Sequence, residues 1–162
     1  KCMSDQLSSF QALVENHNSY QKEVIERFYQ LHSEDVQVMD RWFSVQSISP
    51  SISVAGIREL MSHKLFTMTN PNRIRSVFGA FTQNHIQFHC QEGYQLMTEV
   101  IIELDALNPQ IAARFASVFN HWRRFTSHYS KLQEAELKTI SEVDNLSNDV
   151  YEIVHIALEG KT

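Results

Sequence analysis

Apolar residues recur three and four positions apart along most of this chain, the spacing that lines one face of an α-helix. A first helix is expected from roughly Ser4 to Asn16. A second carries Tyr20, Val24, Ile25, Phe28 and Leu31 as its stripe. A third begins near Asp35, carries Val38, Met39, Trp42, Phe43 and Val45, and stops before Ser49-Pro50-Ser51, where proline breaks the pattern. A short fourth presents Ile57, Leu60 and Met61. The fifth carries Ile74, Val77, Phe78 and Phe81, and an irregular stretch from Asn84 to Gly93 follows. Tyr94 to Leu107 is apolar on most sides, which suits a helix lying between others. A seventh carries Ile111, Phe115, Val118, Phe119, Trp122 and Phe125, and an eighth Tyr129, Leu132, Leu137, Ile140 and Val143. The last has the stripe Val150, Ile153, Val154, Ala157 and Leu158. Ser147 is its expected cap, Asp149 lies in its first turn, and Leu146 is placed to staple onto Tyr151. Gly160 ends it.

Two of these helices start alike: Asn70-Pro71-Asn72-Arg73-Ile74-Arg75 and Asn108-Pro109-Gln110-Ile111-Ala112-Ala113-Arg114. An asparagine side chain caps orphan backbone N–H groups, and proline at the first helical position has no hydrogen bond to lose. The two prolines stand 38 positions apart, near the period of helical-hairpin repeats. Successive antiparallel helices with short connections predict an all-α fold: a helical-repeat superhelix, an armadillo- or HEAT-like α-solenoid of about nine helices. Only four glycines and three prolines occur in 162 residues, too little turn material for an all-β fold. The length suits a single all-α domain over 1–162.

A net charge of −5 argues against a nucleic-acid or anionic-membrane partner. No apolar run is long enough to span a bilayer. Cys2 and Cys90 make no disulfide framework and read as reduced thiols of a cytoplasmic protein. No Gly-rich phosphate loop, Gly-x-Ser-x-Gly elbow or His-Glu-x-x-His is present, so the residues present no catalytic apparatus. His85 and His89 are four apart, but two ligands do not close a zinc site, and both read as loop and packing residues. Cys90 beside His89 has no orienting third group.

The charge pattern is more informative. No acidic residue lies between Glu59 and Glu92, where Lys64, Arg73 and Arg75 occur, or between Asp105 and Glu134, where Arg114, Arg123, Arg124 and Lys131 occur. Both positive stretches coincide with the Asn-Pro starts, and stacked repeats would bring them together. Arg114 falls in the row of Ile111, Phe115 and Val118, and Arg75 lies at the edge of its own stripe. Two readings stand for these guanidiniums. They snorkel or pair with an internal carboxylate, since an unpaired buried charge is costly. Or they point into a solvated cavity and meet a ligand's carbonyls or carboxylate, which suits the planar fork of arginine.

Several longer segments bear a family likeness. Val38-Met39-Asp40-Arg41-Trp42-Phe43-Ser44-Val45-Gln46 looks like V-V-D-K-W-F-x-x-Q, and Phe66 to Ser76 looks like F-T-x-x-N-P-N-R-x-R-S. Phe88-His89, Gly93-Tyr94, Leu104 to Arg114 and Leu146 to Val154 continue in the same order. Together they resemble the C-terminal helical domain of bacterial aminopeptidase N, the zinc-dependent alanyl aminopeptidases of the gluzincin class. The loop Phe88-His89-Cys90-Gln91-Glu92-Gly93-Tyr94 is shorter than that family's F-H-x-x-D-G-S-G-Y, and His85 replaces a usual proline.

The resemblance implies a parent enzyme that removes N-terminal residues from peptides. Its zinc and its exopeptidase motif belong to a catalytic domain outside this chain, so that no catalytic residue, metal ligand or cofactor is expected here. This segment would cap the active site and enclose a peptide cavity, lined at the positions matching Arg75 and Arg114. The catalytic domain of the same parent chain and peptide substrates are the implied partners. By the same resemblance, an early helix pair of the family's domain would be missing, which would expose apolar surface and favour self-association. The competing expectation is a free-standing helical-repeat adaptor whose positive inner face holds an acidic partner segment.

Overall fold

The computed structural model describes residues 2–16 and 19–160. Among the described residues all regular structure is helical and no strand occurs. The packing resolves into two compact units, residues 1–87 and 88–162, each with its own core.

The first unit is built around α3. Its helices are α1 (Met3–Glu15), α2 (Gln21–His32), α3 (Val36–Ile48), α4 (Val54–Met61) and α5. The last runs as Pro71–Ile74, widens into a π-helical segment at Arg75–Gly79 and closes as Ala80–Thr82. Helix α3 packs against α1, α2 and α5 and buries Val38, Met39, Trp42, Phe43 and Val45. Asp35 starts it by accepting from the backbone N–H of Gln37 and Val38, each at 3.1 Å, which satisfies two orphan donors.

The break at Ser49-Pro50-Ser51 is held by side-chain amides. Asn84 donates to the carbonyls of Ser47 at 3.2 Å and Ser49 at 2.9 Å. Gln87 donates to that of Pro50 at 2.6 Å. The stripe expected on α2 is narrower than its sequence suggests. Phe28 is buried and stacks on Phe10 at 4.2 Å, whereas Tyr20 and Leu31 are about two-thirds exposed.

The second unit is built around α6 (Gln91–Leu107), with α7 (Pro109–Ala116), α8 (Ser127–Ser141) and α9 (Asn148–Glu159). Helix α6 packs on α7 and α8, and α9 packs on the same two. Tyr94, Leu96, Met97, Val100, Ile101 and Leu104 of α6 are buried, as its nearly all-round apolar sequence predicts. The chain reaches α6 through a tight approach. A Cβ on Gly93 would lie 2.2 Å from the Phe88 carbonyl oxygen, so only glycine fits there. Cys90 serves as the helix cap, its sulfur accepting from the Gly93 N–H at 3.3 Å.

Helix α9 is fixed at both ends. The Asp105 carboxylate accepts from the Ser147 N–H at 2.8 Å and from its hydroxyl, while Ser147 caps the helix through Val150. At the other end Arg123 donates to the carbonyls of Ala157 at 2.7 Å and Leu158 at 2.6 Å. Its guanidinium lies 4.1 Å over the Trp122 ring, and Gly160 takes a φ of 76°. A cation and a left-handed glycine are what the carbonyl end of a helix favours.

One helix end also differs from expectation. Helix α7 does not run on to Phe125. It ends at Ala116 and gives way to 3₁₀ turns at Ser117–Phe119 and Trp122–Arg124. The tighter turns place Trp122 so that its indole N–H reaches the Ala157 carbonyl at 3.0 Å. Tyr151 is half exposed and stacks on His155 at 5.2 Å.

Candidate functional site

Both Asn-Pro starts form as expected. The Asn70 side chain accepts from the N–H of Asn72 at 3.1 Å and Arg73 at 3.3 Å. That of Asn108 accepts from Ile111 at 3.2 Å. Pro71 and Pro109 occupy the first helical turn. Asn108 also closes the preceding helix, its own N–H reaching the Leu104 carbonyl at 2.6 Å, so one residue ends α6 and begins α7.

The expected site arginines lie one in each unit, Arg75 in the first and Arg114 in the second. Both are exposed. Arg75 opens the π-helical segment of α5, a backbone irregularity common at functional positions. Its guanidinium donates a long hydrogen bond, 3.5 Å, to the side-chain oxygen of Asn72. Among the described residues neither arginine forms a salt bridge. Pairing with an internal carboxylate does not describe them, whereas exposure fits both a snorkelling side chain and one turned to a ligand.

Internal pairing instead describes a residue that the spacing did not single out. Arg73 is 4% exposed. Its Nε lies 3.3 Å from Oδ1 of Asp40, and its guanidinium sits 4.6 Å over the Phe43 ring. The contact is ionic rather than a well-aligned hydrogen bond: Arg73 Nε and Nη1 and Asp40 Oδ1 are buried without one. Burial pushes the Asp40 carboxyl above its ordinary value, and the attraction of Arg73 only partly offsets this. Burial likewise pulls Arg73 below its ordinary value, opposed by Asp40. The sequence held a signal in Asp40-Arg41 on α3, an acid inside an apolar stripe, but nothing in the spacing says which arginine answers it.

Arg75 shares an open groove of about 350 Å³ with Arg41, Gln11, Ser44, Gly79 and Gln83. A larger groove of about 640 Å³ in the same unit is lined by Tyr29, Trp42, His63, Gln46, Glu26 and Glu59, among others. Its aromatic wall is closely packed. His63 lies edge-on to Tyr29 at 5.1 Å and 5.2 Å from Trp42. Burial pulls the His63 imidazole below its ordinary value, reinforced by Lys64 and Arg73.

In the second unit, His89 bonds through Nδ1 to the Tyr94 hydroxyl at 2.9 Å, and Gln133 donates to that hydroxyl at 3.2 Å. Burial raises the Tyr94 phenol to about 12. Among the described residues no three His, Cys, Asp or Glu side chains converge to hold a metal ion. They therefore offer zinc no ligand set. No described helix is long and apolar enough to cross a membrane.

A family model described as a domain of unknown function, DUF3458_C, ARM repeats, matches residues 1–159. The chain belongs to this family. It is 33% identical to aminopeptidase N of Escherichia coli K12 over 160 residues, covering 96% of this chain and 18% of that protein. It is 38% identical to aminopeptidase N of Haemophilus influenzae over 136 residues, covering 82% of this chain and 16% of that one. The crystal structure of Legionella pneumophila aminopeptidase A in complex with aspartic acid matches 99% of this chain and 19% of its own, with a TM-score of 0.92 and 27% identity. The chain thus spans less than a fifth of the length of these relatives. The resemblance drawn from its motifs, to the helical domain of bacterial aminopeptidase N, is upheld, as is the all-α helical-repeat fold.

Proposed function

We propose that this chain is the non-catalytic helical part of a cytoplasmic zinc metallo-aminopeptidase. It caps the active site, shapes the substrate cavity and lets Arg75 and Arg114 steer peptides through their carbonyls or C-terminal carboxylate. The observation that carries this reading is the exposure of both arginines without a salt bridge among the described residues. A guanidinium left free of internal carboxylates keeps its planar fork for a ligand's oxygen atoms. The aminopeptidase relatives supply the reaction class. The implied partners are the catalytic domain of the same chain and peptides.

Two measurements test this. The purified chain alone should not hydrolyse alanyl p-nitroanilide, and robust turnover would overturn its non-catalytic role. In the complete enzyme, Arg75→Ala and Arg114→Ala should each lower kcat/KM for tetra-alanine about tenfold, the scale of one lost charge-assisted hydrogen bond. Alanine amide, too short to reach a distal arginine, should be little affected. Equal losses on both substrates would remove the cavity role.

A further inference from the structure

The groove beside Arg75 holds a second guanidinium. Arg41 of α3 and Arg75 of α5 line the same opening of about 350 Å³. Both are exposed, and no carboxylate residue lines the groove. Two nearby acids already have partners, one of them on the groove lining itself, at Gln11. Asp40 faces the buried Arg73, and Glu15 accepts from the Gln11 side-chain amide at 2.6 Å. Among the described residues Arg41 forms no salt bridge, and Arg75 is held only by its 3.5 Å bond to Asn72. Ser44 and Gln83 add uncharged polar groups to the lining.

The groove is also kept open. Gly79 lies on its lining, four residues after Arg75, at the end of the π-helical segment. A Cβ built there meets nothing within 4 Å. Glycine inside a helix costs stability relative to alanine. No close packing demands it here, so what it leaves is space beside two cations.

We infer that Arg41 and Arg75 together form a carboxylate subsite, and that its occupant is the free C-terminal carboxylate of a peptide. This rests on the proposed peptide-cavity reading and adds Arg41 and Gly79 to it. Two guanidinium forks can supply parallel N–H donors to both oxygens of one carboxylate, which a peptide amide cannot match. Arg41 is a specificity residue in this account, since it touches the substrate's far end and not the scissile bond.

The test compares tri-alanine with tri-alanine amide as substrates of the complete aminopeptidase. The enzyme should show a lower KM for the free acid. Arg41→Ala and Arg75→Ala should each erase about three- to tenfold of that preference. Arg41→Lys should recover part of it. Gly79→Leu should erase it by filling the groove, and Gly79→Ala should keep it while raising the melting temperature. If Arg75→Ala weakens peptide turnover but Arg41→Ala and Gly79→Leu leave the preference intact, the two-arginine subsite is overturned and the cavity reading stands. If none of the three affects any peptide, both fall.

Discussion

The two Asn-Pro helices begin with the same capping chemistry and then part company at the third residue after the asparagine. In α5 that residue is Arg73, in α7 it is Ile111. Both are buried, at 4% and 7% exposure. One slot is filled by a charge that needs Asp40 beneath it and Phe43 beside it. The other is filled by a plain hydrocarbon. The helices then diverge further, α5 widening into a π-helical segment and α7 tightening into 3₁₀ turns. A shared start signal sets where a helix begins and how its first N–H groups are satisfied. It does not set what the helix buries or how it ends, because those depend on the partner element.

The largest expected effect comes from breaking the charged slot. Asp40→Leu leaves Arg73 buried without a counter-ion and should cost about 3–5 kcal/mol in urea unfolding. Adding Arg73→Met should restore most of that loss, since a well-packed apolar pair often equals a buried ion pair. The converse change, Ile111→Arg, puts a guanidinium where α7 presents no carboxylate, and about 3 kcal/mol should be lost. A benign Ile111→Arg would mean the two slots are equivalent after all.

The caps should behave alike. Asn70→Ala and Asn108→Ala should each cost about 1 kcal/mol in the same unfolding measurement. The pH response should separate the units again. The folded first unit holds His63 below its ordinary value of 6.5, so it binds fewer protons than the unfolded chain. Stability is then full above that value and is lost as pH falls through it towards the lowered one. His63→Phe should flatten this part of the stability–pH profile between pH 7 and 5, and an unchanged slope would assign it elsewhere.

Much of this was legible in the sequence. Periodicity located the helices, and the Asn-Pro and Ser147 caps formed as written. The Asn-Pro starts also drew attention to Arg75 and Arg114, both of which are exposed. Three things were not legible. The π-helical widening at Arg75–Gly79 leaves the apolar spacing nearly intact, so periodicity does not register it. The identity of the buried arginine depended on Asp40, an acid two helices earlier that meets it by contact and not by spacing. Arg41 joins Arg75 only because α3 and α5 pack together, a tertiary fact. Tyr20 and Leu31 failed in the opposite sense, since a stripe shows which face is apolar and not whether anything covers it.

The central distinction is between an arginine that serves the fold and the two arginines proposed to serve a peptide. It is tested most directly by one ratio, kcat/KM for tetra-alanine over that for alanine amide, in the complete aminopeptidase carrying this chain. Arg75→Ala and Arg114→Ala should each lower the ratio about tenfold. The compensated pair Asp40→Leu with Arg73→Met should leave it within about twofold. A drop as large in the compensated pair, or no drop in Arg75→Ala and Arg114→Ala, would contradict the account.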